Sequence, residues 1–194
     1  NRIAWQLRTR ANVRVYAWMP VMAFDFGNAF YQQHGVRTWH EIGVATSFAD
    51  YRRLSLFDDV AREKIQSIYR DLALHANFYG VLFHDDAMLD QNEDFHPSGS
   101  AFFASRGLDI NSYAQWQDDP EKRQQFTDSK IKAINDFTVV LLNEVRQFRP
   151  DVRSARNLYA ETVLNPESER WFAQSLSSAL QQYDHVAVMA MPWM

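Results

Sequence analysis

Two adjacent aspartates follow directly on a strand-like apolar run. Asp85 and Asp86 come after His84, where the run Tyr79–Phe83 ends. In α/β proteins, active sites are built at the carboxyl ends of the parallel strands. Neighbouring carboxylates repel each other, and a sequence tolerates that cost more readily where the groups perform chemistry. The pattern predicts an active site at this edge; an Asp86 that caps a turn and an Asp85 paired with an arginine are the structural alternative.

Paired carboxylates are the groups that glycoside hydrolysis requires. One carboxylic acid protonates the leaving oxygen, and a second carboxylate is the nucleophile or base. Because successive strand residues point to opposite faces, Asp85 and Asp86 cannot both face one bond unless the chain turns. We expect one catalytic carboxylate, with the other positioning it or binding a sugar hydroxyl or amine. Glu161, at the end of the next strand, is a candidate catalytic partner, because parallel neighbours lie about 4.8 Å apart. A surface glutamate near a helix start and a partner outside this segment are the alternatives.

Histidines near these carboxylates raise the question of a metal. His84 could orient a carboxylate or a sugar hydroxyl, or be a buried histidine that donates to the backbone. His84, Asp86 and His96 are of types that bind divalent ions, but their spacing matches no compact metal motif. The chain has no cysteine, which excludes disulfides and thiolate zinc sites. We predict neither a metal nor a cofactor.

Aromatic residues are the compositional outlier, with 14 Phe, 8 Tyr and 6 Trp. Trp18, Tyr159 and Trp193 lie at or just beyond predicted strand ends, and Tyr51 lies in the first long loop. Aromatic faces stack on sugar C–H surfaces while the polar tips of Trp and Tyr form hydrogen bonds. We predict that these four residues and His84 bind substrate. A packed aromatic core is the alternative.

Charge and hydropathy exclude two classes of partner. The net charge of −4 argues against a nucleic-acid groove, because phosphate binding requires a basic field. No apolar stretch reaches the length of a membrane span. The chain begins at Asn1 without an initiator Met or a signal peptide, and we interpret it as a mature or excised segment.

Apolar runs and helical periodicity alternate along the chain. We predict strands over 13–19, 78–83, 153–160 and 185–190. Helices are expected before the first strand, from the cap Asp58 to about 76, from a cap at Asp128 or Ser129 to Pro150, and from the cap Asn165. Such alternation is typical of right-handed crossovers and a parallel sheet. Long segments, 21–57 and 86–127, follow the first two strands, and loops of this length are usually functional.

An open sheet that ended at the fourth strand would leave an unprotected edge. We therefore predict an α/β fold of the (β/α) TIM-barrel type. Residues 1–194 would form a single partial domain, the middle portion of the barrel with about four βα units.

The strands and their flanks resemble one known family. The segments 15–20, 80–87, 157–161 and 189–194 are similar to the C-terminal domain of the bacterial poly-β-1,6-N-acetyl-D-glucosamine N-deacetylases, which act on a biofilm exopolysaccharide. The similarity spans essentially the whole chain, and His84-Asp85-Asp86-Ala87 is its most specific motif. The resemblance implies a (β/α) barrel, similar to glycoside hydrolases, that binds the polymer and cleaves its partially deacetylated form. The family barrel's first and last strands have no counterpart here.

The resemblance also implies partners and a location. The partners would be the polysaccharide, a metal-dependent N-terminal deacetylase domain of the same protein and an outer-membrane export porin. The location would be the periplasm, with a tether to the outer membrane. Partly deacetylated polymer is cationic, and Asp25, Asp90, Glu93 and Asp94 would add to a negative groove that attracts it. An ordinary solvated loop is the alternative for these four residues. A non-catalytic polysaccharide-binding module that assists deacetylation and export is the alternative function.

Overall fold

The computed structural model describes residues 2–47 and 52–190. Its strands are β1 (Tyr16–Met19), β2 (Arg37–His40), β3 (Gly43–Thr46), β4 (Gly80–Phe83), β5 (Arg153–Tyr159) and β6 (His185–Met189). Its α-helices are α1 (Arg2–Ala11), α2 (Asn28–His34), α3 (Asp59–His75), α4 (Ser100–Ala104), α5 (Tyr113–Trp116), α6 (Pro120–Arg146), α7 (Ala160–Leu164), α8 (Glu169–Phe172) and α9 (Leu176–Gln182). Short 3₁₀ turns lie at Pro97–Gly99, Ile110–Ser112 and Pro166–Ser168.

The central sheet is parallel and has the order β1-β4-β5-β6. Trp18 pairs with Leu82, Leu82 with Ala155, and Ala155 with His185, so these residues share one face. The predicted strands are therefore parallel neighbours in chain order, as expected. Their carboxyl ends, which carry the candidate residues, meet at one edge of the sheet.

The two faces of this sheet differ in their covering. Val81 and Phe83 are fully buried in one core with Ile65 and Tyr69 of α3, and the Tyr69 and Phe83 rings stack. Burying each such side chain contributes about 1.5–3 kcal/mol. On the other face, Trp18 is 57% exposed. We call these the helix-covered face and the open face.

Helix starts follow their capping residues. Asp58 caps α3 through a bond from Ala61 N, as predicted. The expected start of the next helix at 128–129 is wrong, because α6 begins at Pro120 with Asp119 as its cap. An aspartate cap followed by proline at the first helical position is the stronger start signal. The result is a 27-residue helix.

The single helix expected from Asn165 is divided into pieces. Asn165 caps only a 3₁₀ turn, and α8 ends at Phe172, followed by Ala173, whose φ of 48° is left-handed. Ser175 then caps α9. A left-handed residue cannot continue a right-handed helix, so the chain is redirected beside the end of β5.

The two long segments after β1 and β4 are partly ordered into small elements. The first contains α2 and the antiparallel hairpin β2–β3. The second contains α4 and α5, around an aromatic cluster that includes Phe103, Trp116 and Phe126. Among the described residues, no helix is both long and apolar enough to cross a membrane.

Candidate active site

The chain turns sharply where β4 ends. His84 N still donates to Met19 O of β1 at 2.9 Å, and Met88 N then donates back to Asp86 O at 2.8 Å. The turn falls on Asp85 and Asp86, which the sequence required if the two were to act at one edge. It sends their side chains to different partners.

Asp86 is fully buried against the segment that follows β1. Its carboxylate accepts bonds from Val21 N (3.0 and 3.1 Å), Met22 N (2.7 Å) and Ala23 N (2.6 Å). Burial raises its pKa, but the bonds from His84 and from these three amides outweigh burial, so the pKa lies below the ordinary value. We call this arrangement the Asp86 anchor. It joins the end of β4 to the end of β1.

Asp85 faces the carboxyl end of β5 instead. Its Oδ2 accepts from the Tyr159 hydroxyl at 3.1 Å, and its Oδ1 lies 3.0 Å from His84 Nδ1. The side chain is 6% exposed, so it is nearly buried. We call Asp85, Tyr159, His84 and Trp18 the Asp85 mouth.

Tyr159 is itself held by the loop after β5. Its ring stacks on Phe172 at 4.7 Å between centroids, and its backbone N donates to Gln174 Oε1 at 3.1 Å. Sequence reasoning missed both Phe172 and Gln174 as supports of the site. The left-handed break at Ala173 that brings them under Tyr159 has no clear sequence signal, because alanine rarely adopts this conformation.

His84 lies between the two carboxylates, and its ring is covered by the ring of Trp18. Its Nδ1 lies 3.0 Å from Asp85 Oδ1 and 3.3 Å from Asp86 Oδ1. The hydrogen bond to Asp86 raises the pKa of His84, burial lowers it, and the charges of Asp85 and Asp86 raise it further, with a net rise. The Trp18 ring packs on the imidazole at 4.7 Å between centroids. An exposed indole beside a buried carboxylate is a suitable platform for a sugar ring.

Glu161 lies in the first turn of α7, directly after β5. It is exposed, and its carboxylate accepts from Asn165 Nδ2 at 3.2 Å. The helix dipole favours an acidic group at this position. Its catalytic role stays a prediction. Tyr51 and Trp193 lie outside the described residues, and their roles also stay predictions.

Two of the acidic loop residues expected around the groove are buried. Arg53 binds both carboxylate oxygens of Glu93, at 3.0 and 2.8 Å. Asp94 accepts from Arg37 N and His96 N, and burial raises its pKa. A buried carboxylate needs fixed partners. Glu93 and Asp94 therefore present no exposed charge, contrary to the expectation that they add to the negative field of a groove, whereas Asp25 is exposed and Asp90 half-buried.

The possible metal ligands do not gather at one point. His96 Nε2 lies 3.1 Å from Gln33 O and 3.7 Å from Asp58, whereas His84 lies at the Asp85 mouth. Within residues 2–47 and 52–190, no group of three His, Asp or Glu side chains is arranged to hold a metal ion.

The strand topology and the carboxylates at the sheet edge define a segment of a glycoside-hydrolase-like (β/α) barrel. Residues 1–194 match the model of a family described as hypothetical glycosyl hydrolase family 13. The chain belongs to this family.

Relatives and solved structures agree with this assignment. The chain is 40% identical over 195 residues to the poly-beta-1,6-N-acetyl-D-glucosamine N-deacetylase of Escherichia coli K12, covering all of this chain and 29% of that protein. The glycoside hydrolase domain of PgaB (BpsB) from Bordetella bronchiseptica is 44% identical, with a TM-score of 0.86 over 99% of this chain and 55% of that one. A β-galactosidase from Marinomonas ef1 is 12% identical, with a TM-score of 0.62 over 93% of this chain and 31% of that one, and shows the fold alone.

The resemblance seen in the sequence is confirmed, and so is the (β/α) barrel. The chain spans less than a third of the length of the E. coli relative.

Proposed function

We propose that this domain binds and cleaves partially deacetylated poly-β-1,6-N-acetyl-D-glucosamine. The observation that carries the proposal is the Asp85 mouth. There, one carboxylate is held by a tyrosine hydroxyl and an imidazole beside an exposed tryptophan. This arrangement lies at the strand edge where α/β enzymes place their chemistry, in a chain of a glycosyl hydrolase family.

Asp85 is the reacting carboxylate in this proposal. The Tyr159 hydroxyl and His84 orient the Asp85 carboxylate. Asp86, bound to the amides of the segment after β1, holds the backbone next to it. Asp86 is a poor candidate for proton transfer, because three amides and His84 stabilise its anion. The second carboxylate is Glu161 or a group outside this segment. A separation of about 5–5.5 Å from Asp85 in the substrate complex implies retention, and about 6.5–9.5 Å implies inversion.

The name of the E. coli relative and the charge of the polymer support this choice of substrate. The E. coli relative is named for poly-beta-1,6-N-acetyl-D-glucosamine. Deacetylated residues of that polymer carry amines, and carboxylates near the cleft attract cations. Trp18 supplies a face on which a sugar can stack. Tyr51, Tyr159, His84 and Trp193 complete the proposed substrate-binding set.

The protein context is also proposed. A deacetylase domain of the same protein would generate the amines, and an outer-membrane porin would receive the polymer. This protein would lie in the periplasm, with a tether to the outer membrane. The second candidate function is a polysaccharide-binding module that cleaves nothing. The burial of Asp85 favours it, because a 6% exposed carboxylate offers little access to a bond.

Product analysis separates the two functions. The full-length protein is incubated with partially deacetylated and with fully acetylated polymer. A chelator is added to remove the metal ion and so inhibit a metal-dependent deacetylase. We expect shorter oligosaccharides from the partially deacetylated polymer alone. We also expect polymer binding to weaken with added salt, because exposed charges are screened over about 10 Å at 0.1 M. Binding without any shortening of the chain would favour the binding module. Equal binding of the neutral polymer would contradict the electrostatic part.

A further inference from the structure

A buried arginine lies behind the Asp85 mouth. Arg156 belongs to β5, pairs in register with Phe83 and is 2% exposed. Its Nη1 donates to His84 O at 2.7 Å, and its Nη2 donates to Ala87 O. These two carbonyls flank Asp85 and Asp86 on both sides. One planar guanidinium therefore spans the turn from which both carboxylates project.

A cation at this position is costly. Removing a charge from water costs several kcal/mol unless hydrogen bonds and opposite charges replace the solvent. Burial lowers the pKa of Arg156, and the charges of Tyr183, Asp86 and Asp85 act in the opposite direction. A strand residue that only fills the helix-covered face would be apolar, as Phe83 and Leu158 are. β5 also contains Arg153, but that arginine is exposed at the start of the strand, whereas Arg156 is buried in its middle.

Two further buried basic side chains bind the same stretch of backbone. Arg53 donates to Met88 O, and Lys130 Nζ donates to Asp90 O at 2.7 Å. The backbone of residues 84–90, which we call the 84–90 segment, thus has four carbonyls bound by three buried basic side chains. Only Arg156 binds on both sides of the aspartates. Arg53 lies beyond them and is also paired with Glu93.

We propose that Arg156 is a positioning residue, which fixes the turn at Asp85 so that this carboxylate meets the Tyr159 hydroxyl. The inference rests on the proposed function, because it assigns Arg156 a part in cleavage. The Asp86 anchor fixes one end of the turn, and the guanidinium fixes the backbone on both sides of it. A misplacement of about 1 Å at a reacting group is enough to reduce a rate about 10²-fold.

The test compares Arg156→Lys with Arg53→Lys in the full-length protein. Both keep the charge, but an ammonium is a point donor that cannot reproduce the planar, two-pronged geometry of a guanidinium. We expect crystal structures in which the Asp85–Tyr159 contact is lost in Arg156→Lys and kept in Arg53→Lys. We expect kcat on partially deacetylated polymer to fall about 10-fold or more in Arg156→Lys, with KM unchanged, and to stay at the wild-type value in Arg53→Lys. A lower melting temperature is expected in both, and it would not distinguish a positioning role from a structural one.

A double-mutant cycle tests whether Arg156 acts through Tyr159. If it does, adding Tyr159→Phe to Arg156→Lys slows the enzyme less than Tyr159→Phe slows the wild type. Additive losses would contradict the proposal. So would an Arg156→Lys structure that keeps the 3.1 Å contact, or equal falls of kcat in the two lysine variants. If Arg156→Lys does not fold, Arg156→Gln, which removes the buried charge, takes its place.

The crystal structures of the two lysine variants test this inference independently of the proposed function. Absence of cleavage by the wild type would overturn the proposed function, and with it the catalytic consequence of Arg156. The Asp85–Tyr159 contact in the two lysine variants would still decide whether Arg156 sets the turn.

Discussion

Asp86 and Asp85 are adjacent in the chain, yet the Asp86 anchor and the Asp85 mouth are opposite environments. Asp86 is fully buried and accepts from three backbone amides. Asp85 touches the surface and accepts from a side-chain hydroxyl on the next strand. A carboxylate enclosed by backbone amides stays ionised and fixes the backbone. Asp85 is also nearly buried, but the partners described above are the side chains of Tyr159 and His84, beside the exposed Trp18. Adjacency in sequence therefore does not imply a shared role.

The comparison also explains how two negative charges are tolerated side by side. His84 lies between the two carboxylates, and Arg156 lies behind their turn. Opposite charge and hydrogen bonds stabilise both anions. The site is thus a balanced cluster rather than a patch of unpaired acid.

The largest effect is expected from Asp85→Asn. The amide is nearly isosteric but cannot transfer the catalytic proton or act as a nucleophile. Cleavage of partially deacetylated polymer should fall by about 10²–10⁴-fold, with little change in melting temperature. The control is Asp151→Asn at the amino end of the sheet, which should cleave at the wild-type rate. Wild-type cleavage by Asp85→Asn would remove Asp85 from the chemistry.

Asp86→Asn should act on stability. The amide nitrogen would face backbone N–H donors, and the buried anion would be lost. We expect a loss of about 3 kcal/mol in the free energy of unfolding at neutral pH. Because folding lowers the pKa of Asp86, this contribution is full above about pH 4, the unfolded value, and is lost as the pH falls through the folded pKa.

Thermal unfolding of Asp86→Asn at several pH values measures this contribution. The exposed Asp136→Asn, which loses an i,i+4 pair with Lys132, is the matched control and should change stability by about 0.5 kcal/mol or less. An unchanged melting temperature combined with lost cleavage would reverse the roles of the two aspartates.

Tyr159→Phe removes one hydrogen bond and keeps the ring. A bond to a charged group is worth about 1.5–3 kcal/mol, so we expect kcat to fall about 10-fold or more while the stack on Phe172 preserves the fold. Steady-state kinetics measure the change. Tyr16→Phe, on β1, is the control and should keep the wild-type kcat. Equal kinetics of Tyr159→Phe and wild type would mean that the hydroxyl does not orient Asp85.

The smallest effect is expected from His84→Gln and depends on pH. Folding raises the pKa of His84. Its contribution to stability is therefore full below about pH 6.5, the unfolded value, and is lost as the pH rises through the folded pKa. We expect less than about 1 kcal/mol, because solvent screens a partly exposed ring. Melting temperatures at pH 5.5 and pH 9 test this, with His75→Gln on α3 as the control. A difference that grew with pH would contradict a protonated His84.

Much of the fold could be predicted because its signals are local. The apolar runs at 79–83 and 186–190 predict two of the strands, and Asp58 marks the start of α3. The start of α6 was misplaced because Asp128 and Ser129 are also good caps, and only the stronger Asp119-Pro120 start decides between them. The break at Ala173 is set by tertiary packing under Tyr159, which no local pattern shows.

The sequence could predict that candidate residues lie together, but not that Asp85 and Asp86 have different partners. The alternation of strands and helices predicts that five candidate residues lie at one edge of the sheet: Trp18, His84, Asp85, Asp86 and Tyr159. The separate partners of the two aspartates depend on amides of Val21–Ala23, about 64 residues away in the chain. Backbone amides carry no sequence signature, so only the structure reveals the Asp86 anchor.

The most direct measurement is the structure of full-length Asp85→Asn with an intact, partially deacetylated oligosaccharide. The proposal predicts that the sugar crosses the carboxyl ends of β1, β4 and β5, with one ring on Trp18. A glycosidic oxygen or anomeric carbon should lie within about 3.5 Å of the side chain at position 85, and no sugar atom should contact Asp86. An oligosaccharide whose linkages all lie away from position 85 would contradict the assignment of Asp85 as the reacting carboxylate.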